Sequence, residues 1–188
     1  MTENTKVTLL MAAEELTGAR GFDGFSYADL ADIVGIRKAS IHYHYPTKGD
    51  LSLALITRYR AAFTERLAGI SQEDSRASSR LLGYLDLYRD SAQGGRALCL
   101  CVALSVTQSA LPDASRAQLT GFHVDVAQWL ETVFRLARSD GSIRAVTDPK
   151  AEAQAALALV EGAQIMARAA TDPARFEAAI DVLRARVI

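Results

Sequence analysis

The chain is poor in several features that mark other classes of protein. It contains two cysteines and four prolines in 188 residues, and none of its apolar runs approaches the ~20 residues that span a bilayer. So few cysteines argue against a disulfide framework and indicate a reducing compartment. Glu14 and Glu15 fall where a secretory signal would need its apolar segment, so we expect no export signal. These absences predict a cytoplasmic protein with no membrane partner.

The chain also lacks an excess of either charge and lacks the common catalytic motifs. Its 21 Lys and Arg residues face 22 Asp and Glu residues, for a formal net charge of −1, which excludes a uniformly basic protein but allows a local basic patch. A G-x-S-x-G elbow, a P-loop, an H-E-x-x-H pair and a dinucleotide-binding glycine pattern are all missing. We therefore predict no enzyme, no catalytic residues and no cofactor.

The apolar residues, which form 49% of the chain, recur at helical spacing. The four prolines fall where a helix plausibly begins or ends, and strand-like alternation is absent. The pattern predicts an all-α fold of about nine helices. Their expected positions are about 5–19, from Ser26 to Gly35, and about 37–43, 47–70, 80–91, 97–110, 115–139, 149–170 and 173–187. The nearly continuous apolar run predicts that the helix over 97–110 is fully buried, and the polar, Ser-rich stretch 71–79 is expected to be a loop.

Several helix ends carry recognisable capping residues. Ser26 precedes Asp29 by three residues, a capping box with Asp in place of Glu, and Thr47 has the same relation to Asp50. Gly35 is a natural helix stop. Acid-proline pairs, which place an N-cap before proline, open the last two helices: Asp148-Pro149 and Asp172-Pro173. The two short helices on either side of Gly35 form a helix-turn-helix pattern.

Positive charge concentrates in and after this helix-turn-helix. Residues 33–60 carry a net charge of +4, with Asp50 as the only acid, inside a chain whose total is −1. The second short helix adds hydroxyl and ring side chains that reach phosphates or base edges, namely Ser40, His42, Tyr43 and His44. The simpler interpretation of this cluster is a basic surface that only faces solvent. The interleaving of rings and hydroxyls with charge favours binding of double-stranded DNA.

The same block resembles the DNA-binding domain of TetR/AcrR-type transcriptional regulators. The resemblance rests on a Phe-rich junction at Phe22 and Phe25 and on residues 35–51, in which Gly35-Ile36, Lys38-Ala39-Ser40-Ile41, an aromatic and His run, and Pro46-Thr47-Lys48 lead to Leu51. It implies a helix-turn-helix DNA-binding domain over residues 1–46. It implies a helical ligand-binding and dimerisation domain over residues 47–188.

The resemblance also implies how the chain acts and which residues contact the operator. It implies a homodimeric repressor that leaves its operator when a small hydrophobic or amphipathic molecule enters the C-terminal domain. Ser26 and Tyr27 are then expected to meet phosphate, and Lys48 to clamp phosphate at the next helix start. The expected recognition helix supplies Arg37, Lys38, Ser40, His42, Tyr43 and His44. Arg37 and His42 depart from the family's usual Ser and Tyr, so we expect a different base preference.

Candidate ligand-binding residues are apolar or aromatic side chains with few polar partners. Each is explained equally well as core. The candidates are Tyr84, Tyr88, Cys101, Phe122, Trp129 and Gln164. His42 and His44 lie about 200° apart on a helix and do not chelate one ion, and His123 is distant in sequence, so we predict no metal site.

The last two helices are apolar around most of their circumference, which predicts cover from a second subunit. Small side chains would allow close helix approach and larger ones would fill the seam. The predicted dimer interface contains Ala155, Leu159, Ala163, Phe176, Ile180 and Leu183.

Two alternatives remain open. Cys99 and Cys101 are expected to be buried small hydrophobes whose side chains leave opposite faces of a helix, but either is also a candidate redox or electrophile sensor. The chain is otherwise a candidate helical adaptor that binds only protein. Salt-dependent binding to duplex DNA separates a regulator from an adaptor.

Overall fold

The chain is helical over the residues that the computed structural model describes, which are 3–92, 94 and 96–188. This described part has no named β-strand, and its isolated bridge joins Ile143 to Val187. Single-turn 3-10 helices form at Phe22–Gly24 and Gln108–Ala110. The predicted all-α fold of about nine helices is confirmed. The described α-helices are α1 (Glu3–Arg20), α2 (Tyr27–Val34), α3 (Lys38–His44), α4 (Lys48–Glu73), α5 (Ala77–Ser91), α6 (Leu100–Ser105), α7 (Asp113–Asp140), α8 (Pro149–Ala169) and α9 (Ala174–Arg184).

The starts of α2 and α4 are capped as the sequence predicts. The Ser26 N–H donates to the Asp29 carboxylate at 2.7 Å, and the Ser26 hydroxyl accepts from the Asp29 N–H at 3.3 Å. Thr47 and Asp50 form the equivalent pair at 2.9 and 3.2 Å. The Ser26 and Thr47 hydroxyls also donate to the Asp29 and Asp50 carboxylates at 2.7 Å each, and together with the backbone N–H donors they lower the pKa of both Asp side chains. Gly35 ends α2 with a φ of 70°, in the left-handed region that favours glycine.

The last two helices begin differently from each other. Asp148 caps α8, and its Oδ1 accepts from the N–H groups of Lys150 and Ala151 at 3.0 and 3.3 Å, as predicted. In α9 the N-cap is Pro173 rather than Asp172. Asp172 lies one residue further out, where its carboxylate accepts from the Ala174 N–H at 3.0 Å. The predicted cap of α9 is therefore displaced by one residue.

The predicted buried helix over residues 97–110 is much shorter than expected. Only Leu100–Ser105 forms α6, and residues 97–99 run alongside α1, where the Leu98 N–H donates to the Gly18 carbonyl at 3.1 Å. This approach requires glycine, because a Cβ at Gly18 would lie 2.7 Å from the Leu98 carbonyl oxygen. Apolar composition predicted the burial of most of residues 97–104 but not their backbone conformation, and the burial prediction is wrong for Val106, which is 64% exposed.

The polar stretch 71–79, predicted as a loop, is mostly helical. Helix α4 continues through Glu73 and α5 begins at Ala77. The Arg80 guanidinium donates to the carbonyls of Ser71 and Asp74 at 3.0 Å each, which satisfies acceptors at the end of α4. Serine content misled the prediction because a neighbouring side chain supplies this cap.

Two compact units make up the chain. The first comprises the described residues up to Ala61 together with Ala97–Gly121, and the second comprises Ala62–Arg96 together with Phe122–Ile188. Helices α4 and α7 each contribute residues to both units. The functional division predicted between residues 46 and 47 concerns DNA and ligand binding, and it stays a prediction.

The first unit has an apolar core with one buried polar link. The hydroxyls of Ser52 on α4 and Ser115 on α7 lie 2.8 Å apart and are both fully buried, so each satisfies the other. The large side chains that are fully buried here include Leu9, Leu30, Ile41, Leu51, Leu55 and Ile56.

In the second unit, the end of α7 and the C-terminus are tied together by polar contacts. The Asp140 carboxylate accepts from the N–H groups of Ala77 and Ser142, at 2.8 Å each, and so caps α5 from another element. Burial tends to raise the pKa of Asp140, but these backbone hydrogen bonds outweigh it and hold the pKa below its usual value. Arg186 binds both oxygens of Glu152 at 2.7 and 3.1 Å.

Across the described residues, every helix is too short or too polar to cross a membrane.

We expect Asp140→Asn to lower the free energy of unfolding at neutral pH by about 1–2 kcal/mol, because an amide nitrogen then replaces one of the two oxygens that accept a backbone N–H. Because the folded pKa of Asp140 is depressed, its contribution exists above the usual Asp value of 3.8 and is lost as the pH falls through the folded pKa. The difference between Asp140→Asn and the natural chain should therefore shrink in acid. Urea unfolding at neutral pH and in acid measures this difference, with exposed Asp32→Asn on α2 as the control. An unchanged difference at low pH would contradict the capping role.

Candidate nucleic-acid interface

Helix α3 is short and weakly capped, so its position depends on neighbours. It has seven residues, and its N-cap, Arg37, makes no side-chain capping hydrogen bond. Isolated helices of this length are not stable in water. Ile41 anchors the helix with a fully buried side chain, and α2 packs directly against α3. The remainder of α3 is left on the surface.

The exposed part of α3 displays the side chains that the sequence analysis proposed for DNA contact. Arg37, Lys38, His42 and Tyr43 are exposed, and Tyr43 retains 81% of its accessible surface. Ser40 and His44 are half-buried, and the His44 ring lies edge-on to Tyr43 with 4.9 Å between ring centres. Sequence reasoning missed Ala39, which is also exposed. The only available signal was its place between two predicted contact residues.

Five of the predicted contact residues line one open cleft of about 360 Å³ beside α3: Ser26, Tyr27, Lys38, His42 and Lys48. Asp23, Phe25 and Pro46 complete its walls. Ser26 is exposed at the mouth, although its hydroxyl is engaged in the α2 capping box. The other predicted contact residues, Arg37, Ser40, Tyr43 and His44, lie on α3 outside this cleft.

Tyr27 lies beneath the surface rather than on it. Its side chain is 5% exposed, and its hydroxyl lies 2.9 Å from the Tyr45 carbonyl and 2.7 Å from the Thr47 carbonyl, to which it donates. Burial, with the nearby Asp50 charge, raises its pKa to about 12, so the hydroxyl stays protonated and remains a donor. The expectation that the Tyr27 side chain meets phosphate is corrected, because its hydroxyl instead ties α2 to the turn between α3 and α4.

Lys48 is similarly engaged within the chain. Its ammonium donates to the carbonyls of Phe22 and Phe25 at 2.5 and 2.6 Å. It also lies 4.7 and 4.1 Å from the centres of the rings of these two residues. Partial burial lowers the pKa of Lys48. Two carbonyls and two rings hold the ammonium beside the open cleft, and the expected phosphate contact of Lys48 stays a prediction.

His42 connects the exposed face to these buried contacts. Its ring lies edge-on to Tyr27, with 4.8 Å between ring centres, and its Nδ1 lies 3.4 Å from the Pro46 carbonyl oxygen. The side chain nevertheless remains exposed. The contacts with Tyr27 and Pro46 therefore hold the His42 ring in one orientation.

Five of the six candidate ligand-binding residues lie in the second unit. Tyr84, Tyr88 and Phe122 are fully or almost fully buried. They join Phe63 and Trp129 in an aromatic cluster whose neighbouring ring centres lie 5.0 to 6.1 Å apart. The side chains pack against one another as a core does, so ligand binding by this cluster stays a prediction.

Polar groups border this aromatic cluster. The fifth candidate in the second unit, Gln164, donates from Nε2 to the Tyr88 carbonyl at 2.9 Å. The Tyr88 hydroxyl lies 3.4 Å from Glu161 Oε1, and His123 Nε2 lies 3.3 Å from the same oxygen. His123 is thus a half-buried polar residue at the border of the aromatic cluster.

Cys101, the remaining ligand candidate, belongs to the first unit. It is fully buried, and Cys99 is 2% exposed. Cys99 is the N-cap of α6 and accepts from the Val102 N–H at 3.4 Å, so it lies outside the helix rather than on a face of it. The predicted opposite-face geometry is corrected for that reason. Among the residues that the structure describes, no cluster of metal-ligating side chains is present.

The predicted dimer residues lie on two helices, three on α9 and three on α8, and differ in how deeply they are buried. Phe176, Ile180 and Leu183 are 3%, 0% and 5% exposed in the single chain, because this face of α9 packs on α8. These three are corrected from interface residues to core residues. Ala163 is also buried, Leu159 is half-buried and Ala155 is exposed.

Comparison with known proteins agrees with this architecture. A family model described as "Bacterial regulatory proteins, tetR family" matches residues 9–55, and one described as "Tetracyclin repressor-like, C-terminal domain" matches residues 77–183. The HTH-type transcriptional repressor NemR of Escherichia coli (strain K12) is 26% identical over 88% of this chain and 84% of its own length. The transcriptional regulator AcuR of Cereibacter sphaeroides is 29% identical over 86% of this chain and 75% of its own.

A solved structure of a TetR-family transcriptional regulator from Agrobacterium tumefaciens superimposes with a TM-score of 0.90. It is 28% identical to this chain, and the match covers 98% of both chains. The two family models together take in the helix-turn-helix and the C-terminal helices. The chain therefore belongs to the TetR family of bacterial regulatory proteins, and it is a ligand-responsive, DNA-binding transcriptional regulator.

Proposed function

We propose that the chain is a repressor that binds a double-stranded DNA operator as a homodimer and leaves it when a small hydrophobic or amphipathic molecule binds. The observation that carries the DNA part is the exposed face of α3, where cations, hydroxyls and rings surround a single buried anchor, Ile41. The relative from Escherichia coli is named as a repressor, which supports repression over activation.

In this proposal, α3 enters the major groove, and its side chains contact different parts of the DNA. Arg37 and Lys38 carry full charges on an exposed surface and suit phosphate or guanine contacts. His42 and Tyr43 present ring atoms to base edges, and the Ala39 methyl suits contact with a thymine methyl. Ser26 remains a phosphate candidate at the exposed start of α2.

Tyr27 and Lys48 act in the proposal as positioning residues beneath that surface. Tyr27 fixes the turn that follows α3, and Lys48 fixes the two Phe carbonyls that precede α2. Without them, α3 would be held mainly by Ile41 and its contact with α2. Their contribution to DNA affinity is then one of preorganisation rather than direct charge neutralisation.

The homodimer uses the outer face of α8 and α9 in this proposal. On each of these helices, exposed apolar residues recur at a spacing of three, four or seven, which places them on one face. The opposite face of each helix is buried within the chain. Ile165, Met166 and Val182 are 38%, 58% and 63% exposed. Small residues beside them allow close approach of a second copy: Ala155, Ala158 and Ala178.

Release from DNA follows from differential binding. A dimer holds two α3 helices for successive major grooves about 34–36 Å apart. A ligand that binds better when this separation is wrong shifts the population away from DNA, to an extent set by its affinity ratio for the two states. Helix α4 begins at Lys48 and continues to Glu73, so it connects the residues that position α3 with Phe63 of the aromatic cluster.

Three further statements belong to the proposal. A cytoplasmic location follows from the action on DNA. The named relatives are regulators, which supports a chain without enzymatic activity. Sensing through Cys99 or Cys101 is the second candidate mechanism, and the burial of both thiols requires the unit to open before a reagent reaches them.

We expect Lys48→Met to weaken operator binding about tenfold, equivalent to one hydrogen bond to a charged group, without changing the salt dependence of binding. The ammonium contacts carbonyls rather than phosphates, so no counterion release is lost with it. Lys38→Met, which removes an exposed cation, should instead reduce the log–log salt slope by about 0.9. Fluorescence anisotropy over a salt series measures both. A reduced slope in Lys48→Met would restore the phosphate-clamp role.

We expect His42→Ala to relax base preference at one position of each half-site, with a discrimination loss of about 1–3 kcal/mol. The reason is that His42 is held by Tyr27 and Pro46 while its outer edge remains exposed. Binding to single-substitution operator variants measures the change, and exposed Arg37→Ala serves as a comparison. A uniform loss across all sequences would assign His42 to phosphate contact.

We expect Met166→Arg to convert the dimer to monomers in sedimentation velocity, because it places a charge on the outer face of α8. Val106→Arg, at a residue that is 64% exposed on the first unit, is the matched control and should remain dimeric. Circular dichroism should show both variants folded. A dimer that persists in folded Met166→Arg would refute this interface.

A further inference from the structure

A second concavity, lined by none of the rings of the aromatic cluster, lies at the junction of three helices of the second unit. It has a volume of about 210 Å³ and opens between the end of α5, the second half of α8 and the start of α9. Ala92, Ala167 and Phe176 form a buried apolar floor, and Pro173 and Ala174 form an exposed edge. A partly enclosed apolar space is suited to a ligand rather than to ordered water, which needs several polar partners.

The charged groups at this pocket neutralise each other. The Arg89 Nε and one terminal nitrogen donate to the two oxygens of Glu177 at 2.7 and 3.0 Å. Gln164 directs its amide nitrogen to the Tyr88 carbonyl and the Ser91 hydroxyl, at 2.9 Å each. The lining therefore gives a bound molecule apolar contacts on one side and the Arg89–Glu177 ion pair on the other. It carries no excess of either charge.

Size and polarity together define the class of occupant. A dry apolar cavity of about 150 Å³ is sufficient for benzene, so about 210 Å³ accommodates one ring with a small substituent. Burial of a charged group here would be unfavourable, since Arg89 and Glu177 already satisfy each other. We infer that this pocket is a binding site for a small, uncharged, ring-sized apolar molecule, separate from the aromatic cluster. This inference does not depend on the DNA-binding proposal.

The test uses toluene and benzyl alcohol as uncharged probes and benzoate as their charged counterpart, each added to the full-length protein. Methyl NMR resonances of Ala167 and Ala174 report on the pocket, and thermal unfolding reports stabilisation by the bound probe. We expect saturable shifts of these two methyl groups and a raised melting temperature with the uncharged probes. We expect benzoate to bind at least about tenfold more weakly, the ratio that corresponds to a modest desolvation cost.

Variants then locate the binding. Ala174→Phe fills the pocket from its exposed edge and should reduce probe affinity at least about tenfold, and Ala167→Leu fills it from the floor with the same expected loss. Ala114→Phe, at an exposed alanine of the first unit, should leave probe binding unchanged. The inference is overturned if no probe saturates, if benzoate binds better than benzyl alcohol, or if the filled variants, folded by circular dichroism, bind the probes as before.

Discussion

The placement of α3 by side chains from outside it is the constraint on which the DNA-binding surface depends. Seven residues without a side-chain N-cap do not hold a helix in water. Tyr27 and Lys48 each use a polar group to hold backbone carbonyls on either side of α2 and α3. The Tyr27 ring contacts His42, and the Lys48 ammonium lies against the rings of Phe22 and Phe25. These contacts hold the exposed face of α3 in place, with His42 both in contact with Tyr27 and exposed, and its exposed side chains are those that we propose bind DNA.

The second unit consists of helices with apolar inner faces, and polar contacts join these helices at their ends. Asp140 caps α5 from the end of α7, and Arg186 pairs with Glu152. The inner face of α9 is used entirely within the chain, while Met166 and Val182 remain outside. One pair of helices can therefore contribute its inner faces to the core and its outer faces to the proposed interface between two copies. It also leaves the small apolar pocket at the point where α5, α8 and α9 meet.

Local signals in the sequence predicted the helices and most of their ends, because capping residues and glycine act over three or four positions. Ser26–Asp29, Thr47–Asp50 and Asp148 are examples that the structure confirms. Long-range contacts were not predictable in this way. The extended backbone at Leu98 depends on Gly18, eighty residues earlier in the sequence. The buried roles of Tyr27 and Lys48 depend on carbonyls whose proximity no local pattern encodes. Composition likewise could not tell which face of α9 packs internally.

The central claim is that two copies of α3, held at a fixed separation, read a DNA sequence. Selection from a library of random duplexes with the purified natural protein tests it most directly. The account predicts enrichment of a two-fold symmetric sequence whose half-sites lie in successive major grooves, about 34–36 Å or a multiple of it apart. Enrichment of an asymmetric single site, or no enrichment in dilute salt, would contradict it.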